Sequence, residues 1–282
     1  MNMSTERTRE VQFVKLSPTQ NMTILVETPM DRSLYGRVGA AIMAYENVYA
    51  EQVGFLERPA GNAWARLHMS GGEFCGNATM SLAAWLAFQK GYREGEELKI
   101  PLEVSGAEEI MECGIRPAGS GYFGTVRMPL PKSMEEIRLP TGKTVKTFTA
   151  VHMPGITHII APLKDMGDDP RGMALENVQK WGEALEAPAF GIVLHDAEAC
   201  RIEPLVCVRE TGSLVWERGC GSGTAALGVY EALRTGKSAA LRVAQPGGVI
   251  EVKADCRDGV IQNLQITGRV DIVARGTAFI PD

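Results

Sequence analysis

No apolar run in this 282-residue chain approaches the roughly 18 residues of a membrane-spanning helix, so no helix is expected to cross a bilayer. The opening stretch, MNMSTERTREVQFVKL, mixes acids and bases and lacks the apolar segment of a secretion signal. A cytoplasmic, reducing location is therefore expected. Basic residues are not in excess either. Lys and Arg number 29 against 34 Asp and Glu, and the net charge of −5 offers no attraction for nucleic acid or an anionic membrane. The six cysteines include no Cys-x-x-Cys pair, and the four histidines stand at no ligand spacing to them, so no metal site is expected. Neither a phosphate-cradling glycine loop nor a convincing Schiff-base lysine is found, so no pyridoxal phosphate or other cofactor is expected. What is there is ordinary globular composition, 45% apolar and 22% charged, and enough chain for two domains.

The chain repeats itself. Residues 75–91 read CGNATMSLAAWLAFQKG and residues 220–236 read CGSGTAALGVYEALRTG. Across these 17 positions the two share Cys, Gly, Thr, Leu, Ala and a final Gly, and pair Asn77 with Ser222, Trp85 with Tyr230 and Phe88 with Leu233. Leu98-Lys99-Ile100 then leads to Ser105-Gly106, as Leu241-Arg242-Val243 leads to Gly247-Gly248. The offset of 145 residues implies two homologous halves about a pseudo-twofold axis. They are assigned to residues 1–135, carrying Cys75, and 136–282, carrying Cys220. The linker is placed within 129–145, where prolines, charges and Gly142 cluster.

Alternation and turn residues predict strands near 11–16, 22–27, 51–57, 63–68, 97–104, 108–113 and 122–128 in the first half. The second half has them near 157–161, 190–195, 201–208, 240–244, 248–254 and 260–267. Helices are expected at 33–46 and 173–186. Two more follow the cysteines, the first running from Asn77 as N-cap to about 89 with Gly91 as its stop, the second ending at Gly236. The first of these is apolar nearly all round, which places it inside the protein. The expected fold class is α+β, each half a curved, mostly antiparallel sheet around a central helix.

Most of the cysteines read as small buried hydrophobes, namely Cys113, Cys200, Cys207 and Cys256 in strand-like runs. Cys75 and Cys220 differ, because each immediately precedes a buried helix in the same register with Gly and Thr. A helix N-terminus stabilises a thiolate and binds anions, and glycine lets a carboxylate approach the backbone. Two such helices would set two thiols around one bound carboxylate. Inverting an α-carbon needs a base on one face and an acid on the other, which a thiolate and a thiol supply. Fixed N–H dipoles stabilise the enolate-like charge. Two thiols so placed would also close a disulfide when the site is empty and oxidised.

With Cys75-Gly76-Asn77 and Glu217-Arg218-Gly219-Cys220-Gly221-Ser222-Gly223, the chain resembles the diaminopimelate epimerase superfamily of cofactor-independent racemases over essentially its whole length. It is most similar to the histidine racemase branch, which makes D-histidine for staphylopine-type metallophores. The shared features include Asn21-Met22-Thr23-Ile24-Leu25-Val26, Glu51-Gln52-Val53-Gly54-Phe55, Met69-Ser70-Gly71, Trp216-Glu217 and Gln245-Pro246-Gly247-Gly248. The resemblance implies catalysis by Cys75 and Cys220. It also implies substrate contacts from Asn21, Glu51, Gln52, Gly76, Asn77, His158, Glu217, Arg218, Gly221 and Ser222. Glu217 is the best candidate for the α-ammonium, and Glu51 for an imidazole, while His158 is assigned no proton transfer. Dimers are usual in the superfamily, so a homodimer is raised, although the sequence gives no oligomeric state.

Diaminopimelate epimerases carry an Asn-x-Asp-Gly-Ser stretch where this chain has Met69-Ser70-Gly71-Gly72, which puts Met69 where an amide would grip the distal end of that substrate. Arg218, matching the arginine that engages a distal carboxylate, keeps diaminopimelate as the alternative. Isomerases of the phenazine-biosynthesis type lack the paired cysteines. Proline racemases normally have His after the first Cys-Gly, where this chain has Asn77. A non-catalytic amino-acid binding protein with a redox-sensitive cysteine pair is the reading from another class.

Overall fold

The computed structural model describes residues 8–142, 144–185, 187, 189–209 and 213–281. It is a mixed α+β protein, mostly sheet, that divides into two compact units: residues 1–126 with 268–282, and residues 127–267.

In the first unit the strands β1 (Thr8–Pro18), β2 (Thr23–Val26), β3 (Gln52–Glu57), β4 (Ala65–Met69), β5 (Leu98–Val104), β6 (Met111–Ala118) and β7 (Gly121–Arg127) neighbour one another in chain order. Most pairs are antiparallel. Two are parallel, β2 with β3 and β4 with β5. Each parallel pair needs a crossover, supplied by helix α1 (Tyr35–Met43) for the first and helix α2 (Gly76–Gln89) for the second.

The second unit contains β8 (Ser133–Thr141), β9 (Thr144–Met153), β10 (Ile156–Pro162), α3 (Pro170–Ala184), β11 (Ala189–Asp196), β12 (Arg201–Val208), β13 (Ser213–Trp216), α4 (Gly221–Thr235), β14 (Ala239–Gln245), β15 (Gly248–Arg257) and the start of β16 (Val260–Pro281). Here too the parallel pairs are the bridged ones: β10 with β11 across α3, and β12 with β14 across α4. The order strand, strand, helix, strand, strand, helix, strand, strand runs through the first unit, and the second unit follows it from β9 to β15 with the short strand β13 inserted before α4.

Helix α2 is buried from Gly76 to Trp85 and packs on β1, β2, β3, β5 and β6; α4 packs on β9, β10, β14 and β15. The two helices end as expected, with Gly91 at φ 74° and Gly236 at φ 66°, the left-handed conformation that glycine adopts without strain. Among the described residues no helix is long and apolar enough to cross a membrane.

Three expectations are corrected. The chain leaves the first unit at Val126 instead of 135, and residues 268–282 return to it, because the second half of β16 pairs antiparallel with β1 from Pro18↔Val270 to Thr8↔Pro281. The stretch 129–145 is no linker: most of it is the β8–β9 hairpin. Cys200 lies in a turn at φ 45°, half-buried, and not in a strand.

Candidate active site

Each cysteine caps its helix with its sulfur. Cys75 has extended backbone, φ −130° and ψ 111°, and its Sγ accepts the Ala78 N–H at 3.4 Å. Cys220 does the same, with φ −102° and ψ 106°, and accepts the Gly223 N–H at 3.2 Å. Asn77 is thus not the N-cap; it sits in the first turn, buried. The repeated threonines explain themselves. Thr79 Oγ1 donates to the Cys75 carbonyl at 2.7 Å, and Thr224 Oγ1 to the Cys220 carbonyl at 2.6 Å, which ties each cap to its own helix.

Around Cys75 the first unit links two of its other expected residues, Gln52 and Asn21. The thiol donates to Gln52 Oε1 at 2.8 Å, and Gln52 Nε2 donates to Asn21 Oδ1 at 2.6 Å and to Thr23 Oγ1 at 2.8 Å. Glu51 precedes Gln52 at the mouth of β3, its N–H donating to the Met22 carbonyl at 2.9 Å. Met69, by contrast, is fully buried, its sulfur packed toward Gly54. Thr23 went unrecognised because a threonine at the start of an apolar strand carries no signal of its own.

Around Cys220 the second unit brings together Glu217, His158 and Ser222. The Cys220 thiol is hydrogen-bonded to the Glu217 carboxyl group, and it also meets Ser222 Oγ at 3.5 Å. His158 Nε2 lies 2.9 Å from the same hydroxyl. Glu217 keeps part of its surface in solvent, but its carboxyl group lies inward beside Cys220, and loss of water contact pushes its pKa up to about 7. Burial and the adjacent Glu217 push the Cys220 thiol well above its ordinary value. The expectation of a thiolate lowered by the helix end is thereby corrected for Cys220: desolvation and a like charge outweigh the dipole. Burial brings His158 down to about 4, so it is a neutral imidazole. Arg218 is exposed and donates to the Pro246 carbonyl at 3.3 Å.

Gln245 was not anticipated as part of the site. Its Oε1 accepts the Cys220 N–H at 2.7 Å and its Nε2 donates to Thr224 Oγ1 at 2.7 Å, so it anchors the cysteine by its backbone. A polar residue closing a strand is an unremarkable pattern, and only the buried position reveals it. None of the six cysteines is joined in a disulfide. Among the described residues no three His, Cys, Asp or Glu side chains are grouped to hold a metal ion. A groove of about 480 Å³ in the first unit, lined by Arg32, Arg66, His68 and Glu103, contains none of these site residues, and its arginines are paired with Glu57 and Glu103.

Residues 10–279 match the family model described as the histidine racemase CntK N-terminal domain. A histidine racemase of Fusobacterium nucleatum subsp. nucleatum is 33% identical over 278 residues, covering 96% of this chain and 97% of that protein. One from Staphylococcus aureus is 30% identical over 275 residues, covering 96% and 98%. Among solved structures, a hydroxyproline epimerase from Agrobacterium vitis with bound trans-4-OH-L-proline superposes with a TM-score of 0.70 at 12% identity, covering 97% of this chain and 94% of that one. The PhzF-family phenazine biosynthesis protein of Bacillus anthracis gives 0.65 at 13% identity, covering 96% and 99%. These two likenesses establish the fold alone.

Proposed function

Because the chain belongs to the histidine racemase family and is an amino-acid isomerase, we propose that it inverts the α-carbon of histidine with Cys75 and Cys220 as the two proton-transfer groups, one for each face. The observation that carries this reading is the paired cap: each unit has one cysteine thiol, outside any disulfide, at the start of its buried helix, with a backbone N–H on its sulfur. In this reading the substrate carboxylate lies at the helix starts, toward Gly76-Asn77 and Gly221-Ser222, where the helix ends favour negative charge. Glu217 receives the α-ammonium and, beside Cys220, takes the thiol proton. The Cys220 thiolate then removes the α-proton. The developing enolate-like charge is held by the same N–H donors, and the Cys75 S–H delivers a proton to the opposite face. The reverse reaction exchanges the roles. Asn21 and Gln52 line the Cys75 side, with Glu51 pairing the imidazole, and His158 stands behind Ser222. No cofactor enters these steps, and D-histidine so formed would serve opine-metallophore assembly.

A second reading, diaminopimelate epimerisation, is favoured by one observation: the guanidinium-bearing Arg218 is exposed and adjoins Glu217 in the chain. Proton exchange in heavy water, with reductant and no added cofactor, separates the two. Exchange and inversion of L-histidine support the proposal. Exchange of LL-diaminopimelate alone supports the second reading, and exchange of neither overturns both.

A further inference from the structure

We propose that His158 and Ser222 form a directed hydrogen-bond relay to Cys220, in which His158 Nε2–H donates to Ser222 Oγ and the Ser222 hydroxyl donates to the Cys220 sulfur. The inference rests on the reading of Cys220 as a reacting group and deepens it by giving two positioning residues their polarity.

The direction follows from donor accounting. A neutral imidazole carries one N–H. His158 is fully buried on β10, and its Nδ1 has no hydrogen-bond partner among the described residues. That nitrogen faces Gly191 on β11, so closely that a Cβ at 191 would stand 2.5 Å from it. A proton on Nδ1 would be a buried donor spent against backbone carbon, whereas a bare lone pair there is the less costly state. The proton therefore sits on Nε2 and meets Ser222 Oγ at 2.9 Å. Having accepted that bond, the serine hydroxyl has its own hydrogen left for Cys220 Sγ at 3.5 Å. Together with the Gly223 N–H at 3.2 Å, this gives a Cys220 thiolate two donors on one side. Glu217 stands as the acceptor for the departing proton. His158 is thus not the base that deprotonates Cys220: its facing nitrogen is already protonated, and burial keeps the ring from taking a second proton near neutrality. In the first unit the corresponding helix position is Asn77, and the Cys75 thiol donates to the Gln52 carbonyl oxygen.

The test is nitrogen NMR of the full chain labelled with ¹⁵N-histidine. His158 is expected in the Nε2–H tautomer, unchanged between about pH 6 and 9. An Nδ1–H tautomer, or an imidazolium in that range, overturns the relay whatever the activity. In turnover, Ser222→Ala should lower kcat for histidine by roughly fivefold with KM nearly unchanged, while Ser222→Thr, which keeps the hydroxyl, stays within about twofold. Full kcat in Ser222→Ala also overturns the proposal. If the native protein turns over no histidine, the substrate reading fails, and the tautomer still decides the relay.

Discussion

The Cys75 thiol donates to Gln52 Oε1 at 2.8 Å, and the amide that receives it is locked in orientation from its other end. Thr23 Oγ1 gives its own hydrogen to the Asn21 carbonyl at 3.2 Å, so toward Gln52 it acts as an acceptor and requires Nε2 on its side. The carbonyl oxygen of Gln52 is left facing sulfur. Cys75 is thereby held as a thiol, the proton-donating form, and Cys220 stands between a carboxyl group and a hydroxyl.

Replacing Gln52 by Leu removes three side-chain bonds and strands the nearly fully buried Asn21. The expected loss is about 1–3 kcal/mol of stability, read as a lower urea midpoint at constant slope. Racemisation should fall as well, because the Cys75 thiol loses its orienting acceptor. A Gln52→Leu protein as stable as the native one would show that the network contributes nothing.

Cys75→Ser and Cys220→Ser each remove a sulfur proton carrier while keeping a side-chain oxygen that can still cap the helix. Turnover should drop by about 10²- to 10⁴-fold in either variant, and the melting temperature should move little. Calorimetric titration with histidine separates enzyme from binding protein. Retained binding with lost turnover fits proton transfer, whereas undiminished turnover in either variant would remove that cysteine from the mechanism.

The pH dependence of stability has a definite sign at Glu217. Its pKa rises from 4.5 to about 7 on folding, so between those values the folded chain holds a proton that the unfolded chain has released. Stability therefore falls as pH climbs through that window. Glu217→Gln lacks this titration. Its stability relative to the native protein should be similar near pH 4 and improve by roughly 1–3 kcal/mol near pH 8. Paired thermal melts at the two pH values test this, and a difference that does not change with pH would contradict the buried carboxyl.

What the sequence showed and what it hid divide along local and distant contacts. Helices α2 and α4 were legible because an all-round apolar pattern, a glycine stop and a cysteine start all lie within a few turns. The hairpin strand β8 was misread as a linker because it lies at the edge of its unit's sheet. There Glu135, Glu136 and Arg138 face solvent and Pro140 is tolerated, so it looks like loop composition. The far half of β16 was missed because its partner, β1, lies at the other end of the chain. The cysteines themselves stood out through repetition. Their partners Gln52, Glu217 and Gln245 reach them from separate strands and loops, and no local pattern records which atom of a glutamine meets sulfur and which meets backbone.

Gly191 offers the most direct test of the packing behind Cys220. A Cβ at that position would lie 2.5 Å from His158 Nδ1 and 2.9 Å from its Cε1. The ring has little freedom to yield, since it is fully buried and held through Nε2 by Ser222. Gly191→Ala should therefore destabilise the protein by about 1–3 kcal/mol. It should also slow racemisation, because the imidazole is displaced from the serine that contacts Cys220. His158→Ala opens the space that the new methyl group needs, so the double variant should be less destabilised than the sum of the two single ones. Melting curves for the four proteins give that coupling directly. Strict additivity would mean that glycine is required at 191 by its own backbone and not by the histidine lying on it.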